Sequence, residues 1–318
     1  MTAASTPEHS AAAHRRREGR RRTGPRPLGR HLAVTLAFLL AMAGTAMGVG
    51  AFGGAPIDEA AGGLLSADAT HLAPATPAFR IWSVIYLGLG AYTLWQWWDR
   101  HDHRGIAGLT IASLLLNAAW ILVVQAGAVA LSVLVILVLL IVLGALFRRL
   151  TASPPAGAVE RVVVDGTFGL YLGWVSVATC ANIAAALKGA GFSGFGAPEV
   201  LAVLVLLAVA VVGVALTRAG RRPVAAPAAV VWGLLWIAVG RATDAPSSPV
   251  VATAAATVAA VIVLATLFAV LAAAPAPRGR ARSCRGAALR RWCAMSTRHL
   301  APDALTLYDR VARPRAGA

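Results

Sequence analysis

The chain has 318 residues, of which 58% are hydrophobic and only 13% are charged. A soluble domain carries about 25% charged residues, so this composition excludes an ordinary soluble protein and favours one that lies in a membrane. The net charge is +16, with arginine concentrated at the two ends and in short gaps. Because no soluble stretch remains to form a nucleic-acid-binding domain, we expect no nucleic-acid partner.

The first segment, residues 1–30, is polar and arginine-rich, and we expect it to be disordered. Eight apolar stretches follow, and each is long enough to cross a bilayer as a helix that satisfies its own backbone hydrogen bonds. The predicted spans are residues 32–52, 79–98, 105–125, 129–147, 162–187, 200–216, 224–239 and 250–273. The first span has an alternative interpretation as a cleaved signal peptide, although it is longer than the apolar run typical of such peptides. We therefore predict an all-α, polytopic membrane helix bundle of about eight transmembrane helices.

Arginine marks alternate gaps between these spans. With the N-terminus in the cytoplasm, 26 of the 29 basic residues fall on the cytoplasmic side, and only Arg80, Lys188 and Arg241 fall on the other. Cytoplasmic loops of membrane proteins carry such an excess. The pattern predicts a multi-pass protein of the plasma membrane with cytoplasmic N- and C-termini. The tail, residues 275–318, is also arginine-rich, so we expect both termini to contact anionic lipid.

Motifs for catalysis are absent from the sequence. It has no phosphate-binding loop, nucleophile elbow, zinc-protease motif or dinucleotide fingerprint. No predicted span carries a charged residue well away from its ends, and such residues usually mark proton relays and ion paths. We therefore predict no catalytic residue, no metal site and no enzyme activity. Asp165 comes closest, near one end of the fifth span, where we expect a solvated or capping role.

Aromatic and amide side chains occur together at membrane depth in three spans. These residues are Trp82 and Tyr86 in the second span, Asn117 and Trp120 in the third, and Trp174, Ala178 and Asn182 in the fifth. Residues three or four apart share one face of a helix. The three faces would either line a pocket for a flat, largely apolar ligand or pack together through interhelical amide hydrogen bonds. The residues alone favour packing, and both interpretations remain open.

The same residues resemble the TspO/MBR family, the tryptophan-rich sensory proteins related to the mitochondrial translocator protein. Trp82-Ser-Val-Ile-Tyr86 is similar to the W-x-x-L-Y of the family's second helix, and Leu116-Asn117-Ala-Ala-Trp120 is similar to the L-N-x-x-W of its third. Tyr171-Leu-Gly-Trp174, with Asn182 eight residues after the tryptophan, is similar to the pattern of its last helix.

The resemblance covers residues 32–187 and implies a TspO-like membrane core of five helices, residues 31–188. The last three spans, in residues 189–274, have no counterpart in the minimal family, so the resemblance implies a divergent and enlarged member with an additional three-helix region. Two prolines of the family pattern are replaced by Leu122 and Leu170.

The resemblance also implies a ligand pocket that opens toward the loop after the first helix. It implies binding of a small hydrophobic ligand, a tetrapyrrole such as protoporphyrin IX or haem, with no required cofactor and with a sensory, regulatory or transport role. Carried over residue by residue, the lining consists of Trp82, Tyr86, Asn117, Trp120, Trp174, Ala178 and Asn182. Members of the family often dimerise, so a homodimer is a further expectation beside contact with the lipid bilayer.

Two other functions remain open from the sequence. Eight spans would suit a transporter of a neutral or amphipathic solute, although the lack of intramembrane charge disfavours coupling to ions. A non-catalytic scaffold would instead recruit a partner through the last three spans and the arginine-rich tail. Trp232 and Trp236, four apart in the seventh span, would then form a contact surface, or they simply pack within the protein.

Overall fold

The structure is a computed structural model that describes residues 27–51, 56–57, 59–99, 102–219 and 224–272. Within these ranges the regular structure is helical and includes no β-strand. The predictions of a disordered N-terminal segment and of a lipid-contacting tail fall almost wholly on residues outside these ranges. Helix formation begins at Pro27, slightly before the boundary expected from the sequence.

Eight long helices follow one another along the described chain. They are α1 (Pro27–Gly48), α2 (Ile81–Trp95), α3 (Ala107–Gln125), α4 (Val129–Ala152), α5 (Ala158–Gly189), α6 (Pro198–Arg218), α7 (Ala225–Thr243) and α8 (Pro249–Ala272). All except α2 are long and apolar enough to cross a membrane. The predicted polytopic helical bundle is therefore confirmed.

Helix α2 differs from the predicted second span because its α-helical part has only 15 residues. A 3-10 turn, Thr76–Arg80, precedes it and contains Pro77 in its first positions. Together the two segments rise about 32 Å, at about 1.5 Å per α-helical residue and about 2.0 Å per 3-10 residue. That length is close to the roughly 30 Å of a hydrocarbon core. The second span nevertheless stays a prediction, because α2 is not among the seven described helices that are long and apolar enough to cross a membrane.

The buried apolar residues form two clusters that meet at α5 and α7. The first lies mainly among α1–α5 and includes Ile85, Leu89 and Trp174. The second lies mainly among α5–α8 and includes Leu206, Leu234 and Ile262. Large apolar side chains also cover the outside of the bundle, as expected for helices that face lipid.

Helices α5 and α7 approach closely because glycine lies at their contact. A Cβ atom on Gly173 of α5 would collide with the main-chain oxygen of Ala226 on α7, and one on Gly233 of α7 would collide with the side chain of Val177. Small residues that allow such an approach are typical of helix packing in membranes. Helix α7 is therefore packed directly onto the five-helix core.

One end of the bundle is held together by arginine. Arg104, between α2 and α3, donates to the main-chain oxygen of Leu150 over 2.7 Å and forms ion pairs with Glu160 at 3.2 Å and Asp165 at 2.6 Å. Asp165 lies in a π-helical turn of α5, Arg161–Gly166. The expected solvated or capping role of Asp165 was thus incomplete, since its carboxylate pairs with a nearly buried guanidinium.

Candidate functional site

The candidate site is built around aromatic rings on α2 and α5. Trp82 stacks on Tyr86 with ring centroids 5.2 Å apart and planes at 17°. It also meets Tyr171 and Trp174 edge to face, at centroid distances of 5.8 Å and 6.3 Å. Phe79, in the 3-10 turn before α2, meets Trp174 in the same manner at 5.8 Å. We call these five residues the aromatic wall.

Local helix geometry explains why these rings converge. Phe79, Trp82 and Tyr86 follow one another at intervals of three and four residues, and Tyr171 and Trp174 are three apart. Such intervals place side chains on one face of a helix, so the two helices present their rings to each other. Phe79 and Tyr171 were absent from the predicted lining, although the same spacing relates them to residues that were included.

The predicted amide residues join helices to one another. Asn117 Nδ2 on α3 donates to the Tyr86 hydroxyl on α2 over 3.0 Å. Trp120 Nε1 donates to Asn182 Oδ1 on α5 over 2.8 Å, and Asn182 Nδ2 donates to Ser132 Oγ on α4 over 2.9 Å. Both asparagines are buried, where an unpaired amide would be costly. The interhelical hydrogen bonds of the packing interpretation are therefore present at these residues, and the pocket interpretation stays a prediction.

The indole of Trp174 has an unused donor. This side chain is 1% exposed, and its Nε1–H has no hydrogen-bond acceptor within the described part of the chain. Buried indole N–H groups usually find a partner, because a buried donor left unpaired costs free energy. This N–H is therefore a buried donor without a partner among the described residues, within the aromatic wall.

A family model described as TSPO-like protein matches residues 31–268. The chain belongs to this family of TSPO-like proteins. The match extends beyond residues 32–187, which carried the sequence resemblance, and includes α6, α7 and nearly all of α8. Comparisons with curated proteins and with solved structures give no match. Proteins of this family are generally not enzymes.

The lining predicted for this TSPO-like protein divides into two classes of exposure. Asn117, Trp174 and Asn182 are buried, whereas Trp82, Tyr86, Trp120 and Ala178 are partly exposed. Ala178 lies on α5 between Trp174 and Asn182, four residues from each. The described residues include no group of three or more His, Cys, Asp or Glu side chains suited to a metal ion. Indole, phenol and amide groups are thus the chemistry that the site presents.

Helix α7 of the TSPO-like protein adds contacts that the sequence did not reveal. Trp232 Nε1 donates to the main-chain oxygen of Ala78 over 2.8 Å, and the main-chain oxygen of Trp236 accepts from the Ala75 N–H over 3.1 Å. The two indoles also meet edge to face at 5.7 Å. Of the two interpretations left open for this pair, the structure supports packing and bonding within the chain.

Proposed function

We propose that this TSPO-like membrane protein binds a flat, largely apolar ligand of the tetrapyrrole class and acts as a sensor or regulator that responds to it. The aromatic wall is the observation that carries the proposal. Aromatic rings attract one another in offset-stacked and edge-to-face arrangements, and a macrocycle would extend the arrangement already formed by Trp82, Tyr86 and Trp174.

The chemistry of the site favours this ligand class over a charged or strongly polar one. The aromatic wall and the predicted lining contain no charged side chain, so binding would come mainly from burial of apolar surface, at about 25 cal/mol per Å². Protoporphyrin IX suits such a lining through its macrocycle, which is flat and largely apolar.

A titration of the protein in detergent with protoporphyrin IX tests the proposal. Binding should shift the Soret absorption band and saturate with a Kd of about 1–10 µM, which corresponds to about 7–8 kcal/mol. A linear tetrapyrrole of similar size but without a flat macrocycle is the control, and it should bind at least about tenfold more weakly. Linear, non-saturating uptake of both pigments would show partition into the detergent and contradict the proposal.

We also propose that the protein lies in the plasma membrane with its arginine-rich end in the cytoplasm. Arg30 and Arg104 contact main-chain oxygens at one end of the bundle, and Arg149 donates to Gly105 there as well. Lys188 and Arg241 bond instead to the loop between α1 and α2 at the opposite end. An excess of arginine on one side is typical of the cytoplasmic face.

Labelling of single cysteines in intact cells tests this orientation. In a chain whose native cysteines are replaced, Ser193→Cys between α5 and α6 should react with a membrane-impermeant maleimide. Ser153→Cys between α4 and α5 should react only after the membrane is permeabilised. The reverse pattern would contradict the proposed orientation.

A further inference from the structure

We propose that α7 positions the ligand site, with Trp232 and Arg241 as positioning residues that fix the loop leading into the aromatic wall. This inference rests on the proposed function, in that the wall is taken to bind the ligand. The loop concerned is residues 64–80, the second part of the connection from α1 to α2, which we call the connecting loop.

The connecting loop determines where one part of the aromatic wall lies. Its last turn, Thr76–Arg80, contains Phe79 and runs directly into α2, where Trp82 is the second residue. Outside that turn the loop has no helix of its own from residue 64 onward, although Leu72, Ala75 and Ala78 are buried. Its position therefore depends on the elements that pack against it.

Helix α7 bonds to the connecting loop at successive points. Its contacts run from Trp232 with Ala78, through Trp236 with Ala75, to Arg241, which donates to Ala67 and Thr70. Residues 232 and 236 are four apart and share a face of the helix. A Cβ atom on Gly240 would lie 3.3 Å from the Ala75 nitrogen, so helix and loop are also in close backbone contact there. One side of α7 thus lies along most of the connecting loop.

Of these α7 residues, Arg241 makes the most hydrogen bonds to the connecting loop. Its side chain is 0% exposed, and it donates to the main-chain oxygens of Ala67 over 2.7 Å and Thr70 over 3.0 Å. It also donates to Pro246 in the turn after α7, over 3.1 Å. Burying a guanidinium is costly unless its donors are paired. The hydrogen bonds of its two terminal nitrogens therefore hold the connecting loop and the α7–α8 turn together, while its Nε–H has no partner among the described residues.

Trp232 connects α7 to the wall itself. The oxygen that accepts its indole N–H belongs to Ala78, and the next residue is Phe79, whose ring meets Trp174. Loss of this hydrogen bond would free the turn that carries Phe79 without removing any residue of the wall. Lys188 on α5 still holds Ala69 over 2.6 Å, so the loop should loosen rather than detach.

The test compares Trp232→Phe with the matched control Trp236→Phe. Trp236 holds the loop through its main chain, and its indole makes no hydrogen bond to the described residues, so its replacement by phenylalanine keeps every hydrogen bond to the loop and leaves an aromatic ring beside Trp232. Hydrogen exchange of residues 66–80 in the ligand-free protein, together with the Kd for protoporphyrin IX, is measured for both variants and the wild type. We expect Trp232→Phe to speed exchange at Ala75 and to weaken binding, each by about fivefold. Arg241→Gln should have the larger effect on exchange near Thr70.

Three results would overturn the proposal. If hydrogen exchange and the Kd of Trp232→Phe matched those of Trp236→Phe, the hydrogen bond from Trp232 would not hold the loop or position the wall. Faster exchange with an unchanged Kd would show that the loop does not position the wall. A weaker Kd without faster exchange would make Trp232 a ligand contact rather than a positioning residue. If the wild type did not bind protoporphyrin IX, the proposed function would fail, and exchange alone would decide whether α7 holds the loop.

Discussion

Trp120 on α3 donates its indole N–H to the side-chain oxygen of Asn182 on α5, and the Asn182 amide donates onward to Ser132 on α4. One asparagine therefore joins three helices beside the candidate site. Interhelical hydrogen bonds in membranes contribute about 0.6 kcal/mol on average and rarely more than about 1.7 kcal/mol. Substitutions of these residues should consequently alter stability as well as any binding.

Replacing Asn182 with leucine should destabilise the protein by about 1–3 kcal/mol, because it leaves the indole N–H of Trp120 without its acceptor and removes the hydrogen bond that Asn182 donates to Ser132. Trp120→Phe should cost less, since Asn182 keeps its bond to Ser132. Thermal unfolding in detergent measures both effects. Trp98→Phe is the control because Trp98 is 77% exposed. An Asn182→Leu variant as stable as the control would contradict the assigned hydrogen bonds.

Gly173→Ala should destabilise the packing of α7 on α5 by about 1–3 kcal/mol, the usual effect of forcing extra atoms into a tight contact. Its Cβ would collide with the main chain of Ala226. Gly144→Ala on α4 is the matched control, because a Cβ there meets nothing within 4 Å and alanine favours the helix. Chemical or thermal unfolding should therefore show a lower stability than wild type for Gly173→Ala and a higher one for Gly144→Ala. Equal changes in stability for the two variants would refute the close approach of α5 and α7.

Arg104→Gln should lower stability by about 3 kcal/mol, because it leaves the carboxylates of Glu160 and Asp165 without their cation in a partly buried place. The side chain of Arg104 is 5% exposed, against 12% for Glu160. Arg148→Gln, which changes an exposed arginine at the same end, should have little effect. Equal unfolding temperatures for the two variants would show that the ion pairs do not stabilise this end.

Acidification should weaken the connecting loop through His71. Burial lowers the pKa of His71 below its ordinary value, with Glu199 opposing the shift and Arg241 adding to it. The docked loop therefore binds a proton less readily than the free loop. The stability of the docked loop relative to the free loop is therefore greatest above about pH 6.5, and it decreases as the pH falls below that value. Between about pH 7.5 and pH 5.5, the unfolding temperature should fall more for the wild type than for His71→Asn, and equal falls would contradict this account.

Local spacing predicted much of the architecture. The apolar runs located all eight helices, and the three motifs identified the family. Of the seven residues predicted for the lining, six form hydrogen bonds or ring contacts among α2, α3, α4 and α5, and Ala178 forms none. The 3-10 turn before α2 was missed because hydropathy does not distinguish it from an α-helix. The spacing of Tyr171 and Phe79 relates them to residues of the predicted lining, so the sequence could have identified both, but the predicted lining did not include them.

The contacts of α7 could not be predicted in the same way. Trp232 and Ala78 are separated by 154 positions, and Arg241 and Ala67 by 174. Their hydrogen bonds end on main-chain oxygens, so the accepting residues carry no side-chain signature in the sequence. The charge pattern predicts only that Arg241 is one of three basic residues on its side of the membrane, whereas its burial follows from the path of the connecting loop.

The most direct test of the central claim is the Kd for protoporphyrin IX of a Trp82→Leu, Trp174→Leu double variant, measured by Soret titration in one detergent. A Trp97→Leu, Trp98→Leu double variant loses the same number of indoles from outside the aromatic wall and is the control. If the wall binds the macrocycle, the first variant should bind at least about tenfold more weakly, while the control keeps the wild-type Kd. Equal Kd values for the wild type and both variants would contradict a ligand site at the aromatic wall.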